Sequence, residues 1–171
     1  AATPTGEVGL ALDGARLVVT VGMGIGGPES LPEVRALAGA LGRWLGLSSD
    51  EVAVAGTRKV VDPGWLPRQQ QVGLTGRSVA PDLYIGLGLQ GNFNHVSGMM
   101  RSRKVVAVNT DLDAPFFEAA DLGIVCDWRE FAYALDRGAH IRVNIVLIRF
   151  GRADYIAGFV VLGTLLRCRV R

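Results

Sequence analysis

Five short runs of apolar, largely β-branched residues recur along this chain, each stopped by a glycine or polar residue and followed by a helical or turn-rich stretch. They are Ala15 to Val21 (ARLVVTV), Glu51 to Gly56 (EVAVAG), Leu83 to Leu87, Lys104 to Asn109 (KVVAVN) and Leu122 to Cys126. A continuous apolar run of this length suits a strand covered on both faces. Strands alternating with helical segments build a parallel sheet with helices packed on it, joined by right-handed crossovers. The predicted fold class is α/β with about five parallel strands.

Between the first two runs, Ser30 with Glu33 three places on has the form of a capping box. Leu31, Val34, Leu37, Ala38, Leu41 and Trp44 then repeat at helical spacing. The RWLGLSSDE stretch that follows lengthens the end of this helix or its loop, at small entropic cost. Residues 1–14 are small and polar and read as a linker or N-terminal extension. No repeat of solenoid length is visible. A chain of 171 residues sits comfortably within one domain.

Charge narrows the partners. Residues 1–135 carry 11 Lys and Arg against 14 Asp and Glu, whereas residues 136–171 carry 7 against 2. A mildly acidic body without a cationic, aromatic-studded face does not suit nucleic acid. Cys126 and Cys168 stand apart from each other and from any His at ligand spacing, which supports neither a disulfide framework nor a zinc site and points to a reducing cytoplasm. No secretory signal and no membrane-length apolar stretch is present in the sequence.

Glycine is abundant, at 23 residues, and its placement points to a ligand. Gly22-Met-Gly24-Ile-Gly-Gly27 is a G-x-G-x-x-G after a strand and before a helix, where amides and a helix dipole can meet a diphosphate. Tight turns and close helix packing explain the same glycines equally well. The acidic residue that an NAD site places at the end of the second strand is missing; that strand ends Gly56-Thr57-Arg58. The third strand ends Gly88-Leu-Gln-Gly91-Asn-Phe-Asn-His95, and the fourth Asn109-Thr-Asp111. Ligands of open α/β sheets gather at the carboxyl ends of the strands, so these three ends are expected to share one crevice. Asn109 and Asp111 taken singly read equally as turn residues.

Several blocks together are similar to a known family. Thr57-Arg-Lys-Val-Val-Asp-Pro-Gly-Trp65, Gln71-Val-Gly-Leu-Thr-Gly-Arg77, Val79-Ala-Pro-Asp-Leu-Tyr-Ile-Gly-Leu-Gly88, His95-Val-Ser-Gly-Met99, Val106-Ala-Val-Asn-Thr-Asp-Leu-Asp-Ala-Pro115 and Ala120-Asp-Leu-Gly123 resemble, in order and spacing, the C-terminal FAD-binding domain of electron-transfer flavoprotein α subunits. The resemblance implies a Rossmann-like parallel sheet with helices on both faces over residues 15–136, plus an atypical, divergent tail at 137–171. It implies FAD as cofactor, an electron-transfer flavoprotein β subunit and flavoprotein dehydrogenases as partners, and a redox electron carrier rather than a substrate-transforming catalyst.

Carried over residue by residue, the resemblance places Arg58 over the flavin ring, Thr75 near its N5, and His95 as donor to the pyrimidine-side carbonyl. Thr57, the Gln71-Val72-Gly73-Leu74-Thr75 stretch and the Gln90-Gly91-Asn92-Phe93-Asn94-His95 stretch line the cofactor, with Asn109 and Asp121 toward the adenosine end. A permanently charged guanidinium beside the ring favours the reduced forms and raises the potential. The chain departs from the family at Met23, where an arginine is usual, at Leu74 and Asn94, where glutamines are usual, and at Gln90, where a serine is usual. These departures keep a second reading open, a nucleotide-binding or subunit-interaction module that has lost redox activity. In the tail, IRVNIVLIRF is strand-like and YIAGFVVLGTLL is an apolar block too short for a bilayer.

Overall fold

The computed structural model describes residues 11–137, 145–150 and 154–157. The five expected runs form strands: β1 (Leu17–Val21), β2 (Val52–Gly56), β3 (Leu83–Leu87), β4 (Lys104–Asn109) and β5 (Leu122–Val125). All five are parallel neighbours in the order β2-β1-β3-β4-β5. Two further strands, β6 (Ile145–Phe150) and β7 (Asp154–Ala157), extend the sheet beyond β5 in antiparallel register. The strand-like reading of IRVNIVLIRF thus holds over Ile145–Phe150. Of the apolar block, residues 155–157 fall in β7 and residues 158–166 lie outside the described residues.

Helices cover both faces. On one, α1 (Leu31–Trp44) and α5 (Trp128–Arg137) lay Val34, Leu37, Leu41, Phe131 and Ala134 on Leu17, Val19, Val21, Ile85 and Val106. On the other, α4 (Phe116–Ala119) brings Phe116 and Phe117 against Val18, Tyr84 and Ala107, with Met99, two residues beyond the C-cap of α3 (Phe93–Val96), in the same cluster. Neighbouring strand residues point to opposite faces, so runs that are buried throughout supply two cores at once. Leu12 belongs to the second core although it precedes the first strand. None of the described helices is long and apolar enough to cross a membrane.

The helix cap differs from expectation. Ser30 sits at the start of α1, but its hydroxyl donates to the Ile25 carbonyl at 2.9 Å and accepts from Arg129 at 2.8 Å. Glu33 faces Arg129 at 3.5 Å instead of the helix start. The complete capping box belongs to Ser48 and Glu51, in the stretch read as extra loop, where the Glu51 carboxylate accepts from both the amide and the hydroxyl of Ser48.

The topology fixes where a ligand can sit. From β1 the chain crosses by α1 to β2 on one side, and from β3 it crosses by α3 to β4 on the other. The strand order therefore reverses between β1 and β3, and a crevice opens at their carboxyl ends.

Candidate functional site

A cleft of about 510 Å³ occupies that crevice. Its floor is backbone. The turn after β1 presses on the turn after β3: Gly22 N donates to Leu87 O at 3.0 Å and Gly24 N to Gly88 O at 3.2 Å. Gly88 has φ +63°, and a Cβ there would lie 2.6 Å from the Gly24 Cα. Two glycines of the G-x-G-x-x-G are thus explained by contact with the neighbouring turn.

The other walls come from α2 (Arg58–Val61), the loop from Gln71 to Thr75, the segment before and within α3, and the end of β4. Thirteen of the expected site residues line the cleft together: Thr57, Arg58, Gln71, Val72, Gly73, Leu74, Thr75, Gln90, Gly91, Asn92, Asn94, His95 and Asn109. Thr57 stands at the N-cap position of α2 without a side-chain capping bond, and Arg58, exposed, reaches Asp62 one turn on at 3.2 Å. Asn92 spends its side-chain oxygen on the His95 amide at the start of α3. The Asn109 amide group donates to Leu89 O at 2.9 Å and its oxygen accepts from Asp111 N at 3.0 Å, so this side chain ties the third and fourth strand ends together.

Among the described cleft residues, Gln71 carries a buried polar atom without a protein partner. It is buried, its Nε2 donates to the Thr75 Oγ1 at 2.9 Å, and its Oε1 has no protein partner. A buried amide oxygen left unsatisfied costs roughly 1–3 kcal/mol, which a ligand donor would recover. The bond it gives also takes a lone pair of the Thr75 hydroxyl and leaves that hydroxyl its own proton to donate.

Three expectations are corrected. Asp121 is not in the cleft: it precedes β5, at the amino edge of the sheet, where its carboxylate accepts from Val105 N at 2.8 Å. The acidic residue at the cleft edge of that strand is Asp127, two positions past Val125, which pairs with Asn109. Phe93 points into solvent, 74% exposed, and does not line the cleft. His95 lines the wall, yet its ring has no N–H to offer: Nδ1 lies 3.0 Å from the Val72 carbonyl and Nε2 lies 2.8 Å from the Tyr84 hydroxyl. Burial pushes this imidazole down to about 4, opposed only by the Val72 carbonyl, so it is neutral at pH 7.

Sequence reasoning missed Lys59, Asp62 and Thr110, which also line the cleft. Lys59 and Thr110 adjoin residues already singled out and Asp62 lies four residues after Arg58, so the signal was proximity along the chain. Arg58 and Lys59 give one wall positive charge, while Asp62 and Asp111 carry the opposite sign. Met23 and Leu74, 49% and 65% exposed, add apolar surface at the rim.

Comparison with known proteins yields a family. Residues 11–100 match the model of the electron transfer flavoprotein FAD-binding domain. The chain is 42% identical over 128 residues to the electron transfer flavoprotein subunit alpha of Mycobacterium leprae, covering 75% of this chain and 37% of that protein. It is 46% identical over 111 residues to the subunit of the same name from Mycobacterium tuberculosis, covering 65% of this chain and 32% of that one. Against the mitochondrial subunit alpha of Oryza sativa it is 44% identical over 116 residues, 68% of this chain and 30% of the relative. The chain thus spans about a third of the length of the curated relatives it matches.

Proposed function

The chain belongs to the electron transfer flavoprotein α-subunit family, as its FAD-binding domain, and from that premise we propose that it holds FAD in the cleft at the strand ends and serves as an electron carrier. In this role it takes electrons from flavoprotein dehydrogenases and passes them to a downstream acceptor, with an electron-transfer flavoprotein β subunit as partner. The domain is placed at residues 15–136, with Leu12 packed into it, and residues 137–171 are taken as a divergent tail to which no role is assigned. A reducing, cytoplasmic setting suits Cys126, which is unpaired and whose thiol burial pushes up to about 12, with Glu130 and Asp127 adding to the rise.

The observation that carries this reading is the meeting of Arg58, Thr75 and the unsatisfied Gln71 oxygen in one cleft. The residues fit the cofactor: a backbone floor admits a flat, extended ligand closely, and one wall bears Arg58 and Lys59 against an anionic group. Bound FAD supplies the electron chemistry. The chain's part is to bind, orient and set charge. Arg58 places a fixed cation beside the ring, Thr75 turns its hydroxyl proton into the cleft, and Gln71 accepts a ligand hydrogen bond. The Val72 to Thr75 stretch, Gln90 to Asn92 and Asn94 close the sides. Asn109 keeps two strand ends in register, and Asp127 takes the edge position that Asp121 does not.

FAD titration into the purified chain tests the reading, followed by quenching of flavin fluorescence and a shift of the visible band. Saturable uptake is expected. A chain that binds AMP or ADP and leaves the flavin spectrum unchanged would instead be a nucleotide-binding or subunit-interaction module, the reading that Met23, Leu74 and Gln90 keep in play.

A further inference from the structure

Arg58 and Lys59, the two permanent cations among the described residues that line the cleft, are differently committed. Arg58 Nε bonds the Asp62 carboxylate at 3.2 Å, one turn along α2. Lys59 is exposed and has no carboxylate partner among the described residues. The other acidic residue of the lining, Asp111, follows β4, which lies beyond β1 and β3 in the strand order β2-β1-β3-β4, and its Oδ1 accepts from Asp113 N at 3.0 Å. The cleft is therefore net positive on its β2 side and negative on its β4 side. An anion in it is drawn toward α2.

FAD brings such an anion in its diphosphate, which carries charge on each phosphorus and needs an answering cation when it leaves water. The glycine floor lets it come close, but the amides of Gly22, Gly24 and Gly88 are already spent on Leu87 O, Gly88 O and Val108 O, at 3.0, 3.2 and 2.9 Å. Met23, between Gly22 and Gly24, lines the cleft with a neutral thioether. Thr57 N donates to Val21 O at 3.1 Å, so the start of α2 lies against the end of β1 where that floor begins, and Lys59 follows two residues on. Its flexible four-carbon stem carries a compact point charge that needs no fixed fork geometry to meet a phosphate. We infer that Lys59 binds the diphosphate of the cofactor, while Arg58, tied to Asp62, is left to the ring. This rests on reading the cleft as the FAD site.

The test uses the full 171-residue chain with FAD, ADP and riboflavin as probes, so that the diphosphate and the ring are read separately. Lys59→Gln removes the charge and keeps most of the stem, and its urea midpoint is expected to match the wild type because the side chain is exposed. Its dissociation constants for FAD and for ADP are expected to rise about fivefold, the loss of one partly exposed charge contact, with that for riboflavin held within about twofold. Added salt is expected to narrow the gap between Lys59→Gln and wild type for ADP. Lys59→Arg keeps the charge and is expected to leave all three constants near wild type. Unchanged ADP affinity in Lys59→Gln, a riboflavin loss as large as the ADP loss, or a Lys59→Arg chain that behaves as Lys59→Gln would each overturn the inference. A wild-type chain that binds ADP but no flavin overturns the FAD reading and leaves the ADP measurements to decide the role of Lys59; one that binds neither overturns both.

Discussion

The two edges of the parallel sheet are built from the same strands and treat polar groups in opposite ways. At the amino edge, side chains close on the protein itself: Arg16 bonds Asp82 at 2.8 Å and Glu51 at 3.5 Å, Arg77 bonds Asp13 at 2.7 Å, and Asp121 serves a β4 amide. At the carboxyl edge, Gln71 keeps an unsatisfied oxygen, Arg58 has one exposed partner, and Met23 and Leu74 face water. One edge is finished by its own residues. The other is finished by something else, and that difference locates the site independently of any family likeness.

Glycine substitution is the harshest way to probe the contrast. Gly14, near the amino edge, and Gly88, at the carboxyl edge, both have positive φ, but a Cβ on Gly14 meets nothing within 4 Å. Gly14→Ala is expected to cost about 1 kcal/mol of backbone strain and leave FAD uptake intact. Gly88→Ala adds a clash with the Gly24 backbone and is expected to cost about 3 kcal/mol or more and abolish uptake. Urea unfolding with FAD titration measures both, and equal costs would erase the distinction between the edges.

Acid separates the edges next. Neutral His95 binds fewer protons than the unfolded chain between its folded value of about 4 and its ordinary 6.5, so stability is full above 6.5 and falls as pH drops toward 4. The expected loss is up to about 3 kcal/mol, read from urea midpoints across that range. Glu51, held below its ordinary 4.5 by the Ser48 amide and hydroxyl, keeps its contribution above 4.5 and yields it only in stronger acid. The slope between 6.5 and 4.5 is expected to vanish in His95→Phe; a slope that survives would assign the loss elsewhere.

Arginine replacement gives the smallest effects and the finest resolution. Arg58→Ala is expected to leave the urea midpoint unmoved, since its ion pair is exposed, while the flavin midpoint potential falls on the order of 30 mV. Arg16→Ala is expected to leave that potential unchanged. Spectroelectrochemistry that found the reverse would move the functional cation to the other edge.

The extent to which this was readable from sequence follows from what each feature depends on. β3 and β4 fall on the expected bounds because each is an apolar run with abrupt polar or glycine ends, a local property. The crevice was legible too, since parallel strands place Thr57, Gly88 and Asn109 on one side once they are known to be strand ends. The same rule would have placed Asp121 correctly, because it precedes its strand, whereas Asp127 follows. Other features needed the folded chain. The capping box failed because the Ser30 hydroxyl finds the Ile25 carbonyl five residues back. The donor role of His95 was carried over from the family resemblance, and the sequence carries no sign of Tyr84 and Val72, which lie 11 and 23 residues away and meet it only in the core. The antiparallel direction of β6 and β7 likewise leaves no trace in composition.

The meeting of Gly24 and Gly88 also bears on how such a chain can evolve. When two side chains collide, trimming one relieves the other, so second-site suppressors are easy to find. Here main chain meets main chain and there is nothing to trim. The two turns can drift only in concert, by shifting whole stretches of polypeptide, and a lineage that loses either glycine has no single-step route to recovery except reversion.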